Sequence, residues 1–353
     1  VILLEATDRV GGRVRTDVID GFTLDVGFQV LLTAYPACRR LLDYSALRLR
    51  SFDPGALIRQ RGRFTILADP WRSPSQAIAT ALNPVGSLSD KLRIAKLRKV
   101  CCSGSLDDLY QRPTVPSDQY LREFGFSDAM IDQFFRPFLG GVFLDESLAV
   151  SSRMLEFVFR MFASGDVSVP ADGMGAIPRQ LAERMPRGSI SMQSSVVNLD
   201  NNQVSLADGT TLKASNIVIA TESNTAARLL KQPEIATEWN QTSTLYYAAP
   251  KLAERRKSLI LRGDETGPIQ TATVLSNVAP EYAPEGRSLV SVSHAPLASE
   301  EHPLDHIDHE TRGQLRTWFG DGVSNWRLLQ SYQVRFGVPK SSLDPVLQCV
   351  QPN

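Results

Sequence analysis

The chain has 353 residues, 42% hydrophobic and 22% charged, with 38 basic residues balancing 38 acidic ones. That length suits two domains or one large interleaved one with an ample core, and the composition excludes a collagen, a coiled coil and a disordered chain. Zero net charge argues against a nucleic-acid partner, which selects a clustered basic excess; no apolar run reaches the about 18 residues of a membrane-spanning helix, so only peripheral membrane contact stays open.

In chain order, Val1–Leu4 is a continuous apolar run ending in Glu5, the pattern of a strand buried on both faces. The sequence starts inside that strand with no charged leader, so further residues are expected upstream. Val10-Gly11-Gly12-Arg13 follows at turn spacing, and Phe22–Leu32 is a second apolar stretch broken by Asp25 and Gly27. From about Pro70 to Gly165 helical signals dominate. Ser127 is placed to cap a helix whose Met130, Ile131, Phe134, Phe135 and Phe138 recur at helical spacing, and Met154, Leu155, Val158, Phe159 and Phe162 repeat the pattern. Gly140-Gly141 between them reads as a break.

The basic run Lys91–Lys99 scatters its apolar residues around a helical wheel. It reads as long basic side chains lying over a packed helix, with an anionic membrane surface as the lesser reading. Cys38, Cys101, Cys102 and Cys349 have neither metal spacing nor a disulfide framework, which points to free thiols in an intracellular reducing compartment such as cytoplasm or plastid. Adjacent Cys101 and Cys102 read as two small buried side chains before a redox pair.

Gly173–Met185 is a glycine-rich approach to a short helix with Pro178 in its first turn. Ser195–Leu199 and Val204–Leu206 flank a turn at Asp200-Asn201-Asn202, Asp208-Gly209 marks another, and Asn216–Ala220 is an apolar run ending at Thr221. Strands are predicted at Thr242–Ala249, Leu259–Arg262, Thr271–Leu275, Leu289–Ser293 and Arg327–Val334, with one helix over about Leu304–Phe319. His302, His306 and His309 sit among carboxylates near the start of that helix. Pro303 and the acids suit a helix N-terminus, so a solvated helix start outweighs a metal site.

Glu5 at a strand end is the acid expected of a dinucleotide fold, where a carboxylate accepts from ribose hydroxyls. Glu5-Ala6-Thr7-Asp8-Arg9-Val10-Gly11-Gly12-Arg13 resembles the segment after the second strand in flavin-containing amine oxidases, phytoene desaturases and protoporphyrinogen oxidases. Phe22-Thr23-Leu24-Asp25-Val26-Gly27-Phe28 resembles that superfamily's F-D-x-G stretch near the flavin, and Pro170–Pro178 its P-x-G-G-M-G loop. Ser195-Val196-Val197 is similar to the strand that reads the adenine, and Ile217-Val218-Ile219-Ala220-Thr221 to the strand running to the pyrophosphate. Two family segments do not appear: the first strand with its glycine fingerprint, expected ahead of Val1, and a closing Gly-Asp and Gly-Ala helix start. The sequence therefore reads as the middle of a longer protein.

The resemblance implies an α/β protein: an FAD/NAD(P)-binding Rossmann-like domain from residues 1–51 and 165–230, interleaved with an α+β substrate domain from 52–164 and 231–340. It implies FAD as cofactor, with Glu5, Gly11, Gly12, Arg13, Gly27, Val196 and Thr221 as its binding residues, and names no catalytic acid or base. The expected activity is that of an FAD-dependent oxidoreductase taking a hydride from an apolar small molecule, with dioxygen or another compound as electron acceptor. The alternatives are an amine oxidase of the same superfamily, a non-catalytic scaffold on the flavoprotein fold, and a nicotinamide-dependent dehydrogenase. No lysine occurs in Gln241–Ala249, which resembles the strand that carries one in amine oxidisers, and Phe134, Phe135, Phe138, Phe143, Met154, Phe157 and Phe162 are candidates for an apolar cavity roof.

Overall fold

The computed structural model of the protein describes residues 1–294 and 304–340. Its largest element is a sheet of seven strands in the order Arg327–Pro339, Trp239–Pro250, Arg287–His294, Ile269–Val274, Leu259–Leu261, Gly55–Gln60 and Arg63–Ala68. All neighbours are antiparallel except Leu259–Leu261 with Gly55–Gln60. Side chains alternate between faces with period two. Leu245, Tyr247, Ala249, Val290 and Val292 turn to one face, where Ile307, Leu315 and Trp318 of the helix Leu304–Phe319 cover them. Tyr246, Ala248 and Leu289 turn to the other and pack on Phe22, Leu24, Leu31 and Met174. The sheet thus joins a helix on one side to the N-terminal segments on the other.

The helical block packs on the half of this sheet formed by Ile269–Val274, Leu259–Leu261, Gly55–Gln60 and Arg63–Ala68. Its helices Leu88–Cys102, Ser117–Glu123 and Ser152–Ser164, with a long helical run over 128–143, enclose Leu97, Leu121, Ile131, Phe135, Leu139 and Leu155. Ser127 caps the long run as its sequence predicts, its hydroxyl accepting from the Met130 amide. Ile131–Phe135 is a π turn that ends two residues before Pro137. Proline has no amide hydrogen to give the preceding turn, and a wider turn absorbs that loss without ending the helix. Gly140 and Gly141 do not break it either. A Cβ at Gly140 would lie 2.9 Å from Gln270 Nε2, and one at Gly141 3.3 Å from Thr271 Cγ2, so the glycines let the helix sit close on the sheet and tertiary packing overrides their poor helix propensity.

Four small sheets complete the described residues: a parallel pair of Leu3–Leu4 with Ile190–Ser191, the hairpin Thr16–Ile19 with Phe22–Asp25, Val167–Val169 between Leu31–Leu32 and Arg50–Ser51, and the meander Val196–Asp200, Gln203–Leu206 and Thr211–Lys213.

Two apolar runs depart from their predicted burial. Val1 and Ile2 are exposed, because the first strand has a single neighbour among the described residues. Asn216–Ala220 joins no strand ladder, and Val218 is exposed. An apolar run becomes a buried strand only when partners take up its backbone and both its faces. Cys101 is buried, with burial pushing its thiol well above the usual range, but Cys102 is exposed, so only one of the adjacent cysteines is core. No group of metal-binding side chains occurs among the described residues; His302 and Cys349 lie outside them.

Candidate functional site

The strand-end acid is held by its own turn. Glu5 Oε1 accepts from the Thr7 amide and the Thr7 hydroxyl, both at 2.8 Å. Its backbone extends the parallel pairing: Glu5 N–H donates to Ser191 O at 2.9 Å, and Ser194 N–H donates to Glu5 O at 2.8 Å. Val196 follows two residues after Ser194 at the start of the meander, so the structure places it near Glu5, each from a different segment of the candidate cofactor domain. Thr221 is exposed on the extended segment before the helix Ser223–Leu230, which packs against Val196–Asp200.

The two glycines of the next turn have different duties. Gly11 adopts φ +115°, and a Cβ there would fall 2.4 Å from Val14 O and 2.9 Å from Pro178 Cγ, so the protein's own packing requires glycine. Gly12, at φ +53°, faces open space. Gly11→Ala is therefore expected to lower the melting temperature of the FAD-free protein. Gly12→Ala is expected to cost only the about 1–2 kcal/mol of a left-handed residue while weakening FAD. Parallel melting and FAD titration of the two variants check this; equal melting losses would contradict it.

Arg13 does not project freely. Its guanidinium donates to Phe336 O at 2.8 Å and Gly337 O at 2.9 Å and lies 5.0 Å from the Trp239 ring centre. The side chain expected to fork toward a phosphate instead ties the turn to the edge strand of the large sheet. Gln29 Nε2 donates to Arg13 O, and Phe28 N–H donates to Thr244 Oγ1. Gly27, at φ +86°, lets Val334 approach to within 3.0 Å of where a Cβ would stand. Arg13 and Gly27 meet the strands Trp239–Pro250 and Arg327–Pro339, whereas Glu5 and Val196 meet at the meander.

Asp25 locks these parts together, a role the sequence reading did not give it. Its buried carboxylate accepts from Thr16 Oγ1 at 2.5 Å, Met174 N–H at 2.8 Å and Tyr282 OH at 2.9 Å, while its carbonyl accepts from Tyr246 OH. Thr16 Oγ1 in turn accepts from Gly175 N–H, so the Gly173-Met174-Gly175 loop is clamped to the hairpin. Burial raises the Asp25 pKa to about 6 against the opposing pull of those three donors. The F-D-x-G spacing was the available signal; its partners, scattered along the chain, form no pattern.

The residues present fit a dinucleotide. Arg15 Nε is buried beside this hairpin with no hydrogen-bond partner, Gly12 leaves room for a close approach, and both bonds to the Glu5 carboxylate fall on Oε1. A buried donor without a partner and a strand-end carboxylate next to a glycine turn are what a bound adenine dinucleotide would satisfy.

Fold and site together define a flavoprotein oxidoreductase of the Rossmann-like α/β class. The comparison with known families agrees: residues 1–345 match the family described as flavin containing amine oxidoreductase, and the chain belongs to it. FAD is the cofactor of this class. Among solved structures, an oxidoreductase from Methanosarcina mazei superposes with a TM-score of 0.70 at 16% identity, over 94% of this chain and 81% of that one. A provisionally named protoporphyrinogen oxidase from Exiguobacterium sp. 255-15 gives 0.68 at 16% identity, over 97% and 82%. A putrescine oxidase bound to putrescine gives 0.65 at 16% identity, over 96% and 81%. No curated protein matches the sequence.

Proposed function

We propose that this FAD-dependent oxidoreductase takes a hydride from an apolar organic molecule, such as a polyene or a tetrapyrrole-like ring, and passes the electrons to dioxygen or another acceptor. The flavin, when bound, supplies the hydride acceptor; the chain supplies position and environment. Glu5 and Val196 would hold the adenosine end, Gly11 and Gly12 the approach to the phosphates, Gly27 the ring end, and Thr221 the pyrophosphate side.

The observation that carries the substrate reading is the face of Trp239–Pro250 turned to Gly27-Phe28. Thr244 meets the Phe28 amide there and Tyr246 the Asp25 carbonyl. No lysine stands on that strand or on Arg327–Pro339 beside it. The aromatic residues support it less than the sequence suggested. Phe135 and Phe143 are plain core, and Phe157 stacks on Tyr35 at 5.9 Å. Phe134 and Phe138 stack on each other at 5.6 Å, with Phe162 5.0 Å from Phe138. These three, half-buried, stay available to an apolar ligand.

Peroxide release by the FAD-loaded protein over a panel of mono-, di- and polyamines tests the reading. No amine is expected to turn over rapidly, whereas an apolar substrate should bleach the flavin under anaerobic conditions. Fast oxidation of any amine would overturn it in favour of the amine oxidase alternative.

A further inference from the structure

The basic run Lys91–Lys99 finds its explanation on the helix Leu88–Cys102. Leu97 and Cys101 are buried on its inner side, and Leu88 and Leu92, 63% and 66% exposed, follow one another on the opposite side with Lys99 two turns on. The apolar residues that scatter on a helical wheel therefore form two stripes, one packed and one bare. The short helix Ala77–Leu82 adds Ile78 and Leu82, 76% and 79% exposed and one turn apart. Lys91 Nζ donates to Ala81 O and Asn83 O, which brings the end of this helix against the first turn of the next. Four large aliphatic side chains so arranged form an exposed apolar face that a water-facing surface does not explain.

Charge says what covers it. Between Arg61 and Lys99 the sequence carries eight basic residues and two acidic ones, in a chain whose net charge is zero. Three of these bases are neutralised within the protein: Arg98 by Asp69 at 3.1 Å, Arg72 by Asp166, and Arg93 by Asp90 at 3.8 Å, whose carboxylate also accepts from the amides and hydroxyls of Ser87 and Ser127. Lys96 and Lys99 are exposed on the same helix and make no ion pair among the described residues, so the bare aliphatic stripe stands beside uncompensated positive charge, the combination that seats a helix in the interface of an anionic bilayer.

We propose that the hairpin of Ala77–Leu82 and Leu88–Cys102 docks the protein on an anionic lipid surface, with Ile78, Leu82, Leu88 and Leu92 entering the acyl boundary and Lys96 and Lys99 meeting lipid phosphates. The proposal is independent of the substrate.

Co-sedimentation of the FAD-loaded protein with vesicles tests it, comparing phosphatidylcholine alone with phosphatidylcholine mixed with phosphatidylglycerol. Binding to the mixed vesicles only, weakened by salt, is the expected result. L82D/L92D should reduce it by at least about tenfold, the loss that one buried aliphatic side chain accounts for. K96E/K99E should reduce it by about fivefold per charge removed. All four positions are exposed or half-exposed, and unchanged melting curves confirm that the variants fold. Absence of binding to anionic vesicles, or binding that survives L82D/L92D, would overturn the proposal. So would self-association of the parent in solution that L82D/L92D abolishes, because the face would then belong to a second copy of the chain.

Discussion

Asp25→Ala is expected to cost about 3–5 kcal/mol of folding stability, because it strands three donors at once inside the protein. The Thr16 hydroxyl, the Met174 amide and the Tyr282 hydroxyl all end on this carboxylate, and Met174 and Tyr282 are buried where water cannot replace it. The same carboxyl makes stability depend on pH in a direction opposite to that of a salt-bridged acid. Its pKa is about 6 in the folded chain against an ordinary 3.8. Between those values the folded protein holds a proton that the unfolded chain has released. The contribution is therefore complete below about pH 4 and is lost as pH rises through about 6, a change of about 3 kcal/mol. Buried His294 acts in the other sense: burial lowers its pKa to about 4, so its share of stability is lost as pH falls below its ordinary 6.5. Asp25→Asn keeps the shape and leaves the histidine in place, so the difference between parent and Asn variant across this window isolates Asp25. Denaturant melts at a series of pH values should show the parent losing ground to Asp25→Asn as pH rises from 4 to 7; a constant difference would contradict the assignment.

Glu5→Ala is expected to weaken FAD by about 1.5–3 kcal/mol, or about 10- to 150-fold, the worth of a hydrogen bond to a charged group. The alanine also releases the Thr7 turn that Glu5 Oε1 organises, so a second variant is needed to separate the two effects. Glu5→Gln keeps an oxygen for the Thr7 amide and removes the charge. Loss of affinity in both variants assigns the effect to the carboxylate's contact with the ribose. Loss in the alanine variant alone assigns it to the turn, and unchanged affinity in both would remove Glu5 from the site.

What could be read ahead of the structure, and what could not, follows from the range of the forces involved. The helix Leu304–Phe319 and the hairpin Val196–Asp200 with Gln203–Leu206 match their predictions closely, because periodicity and turn chemistry are written within a dozen residues. Gly140-Gly141 misled because the reason for those glycines lies on Gln270 and Thr271, far along the chain. Asn216–Ala220 misled because composition shows that a segment can enter a sheet and not whether a neighbour is there to pair with it. The stretches around Glu5, Gly11–Arg13 and Gly27 were legible as motifs, and the structure adds how they are held. Arg13 is stapled to the carbonyls of Phe336 and Gly337, and Asp25 is shared between a hairpin, a glycine loop and Tyr282. Such ties join residues hundreds of positions apart, and no local pattern announces them.

The central claim is that this chain builds an FAD site, and the most direct measurement is a titration of the purified protein with FAD, followed by its visible absorption and flavin fluorescence. Saturable binding with a perturbed flavin spectrum, weakened in Glu5→Gln and Gly12→Ala but retained in Arg9→Ala, is the predicted result. A flavin spectrum identical to that of free FAD at every protein concentration would contradict the account.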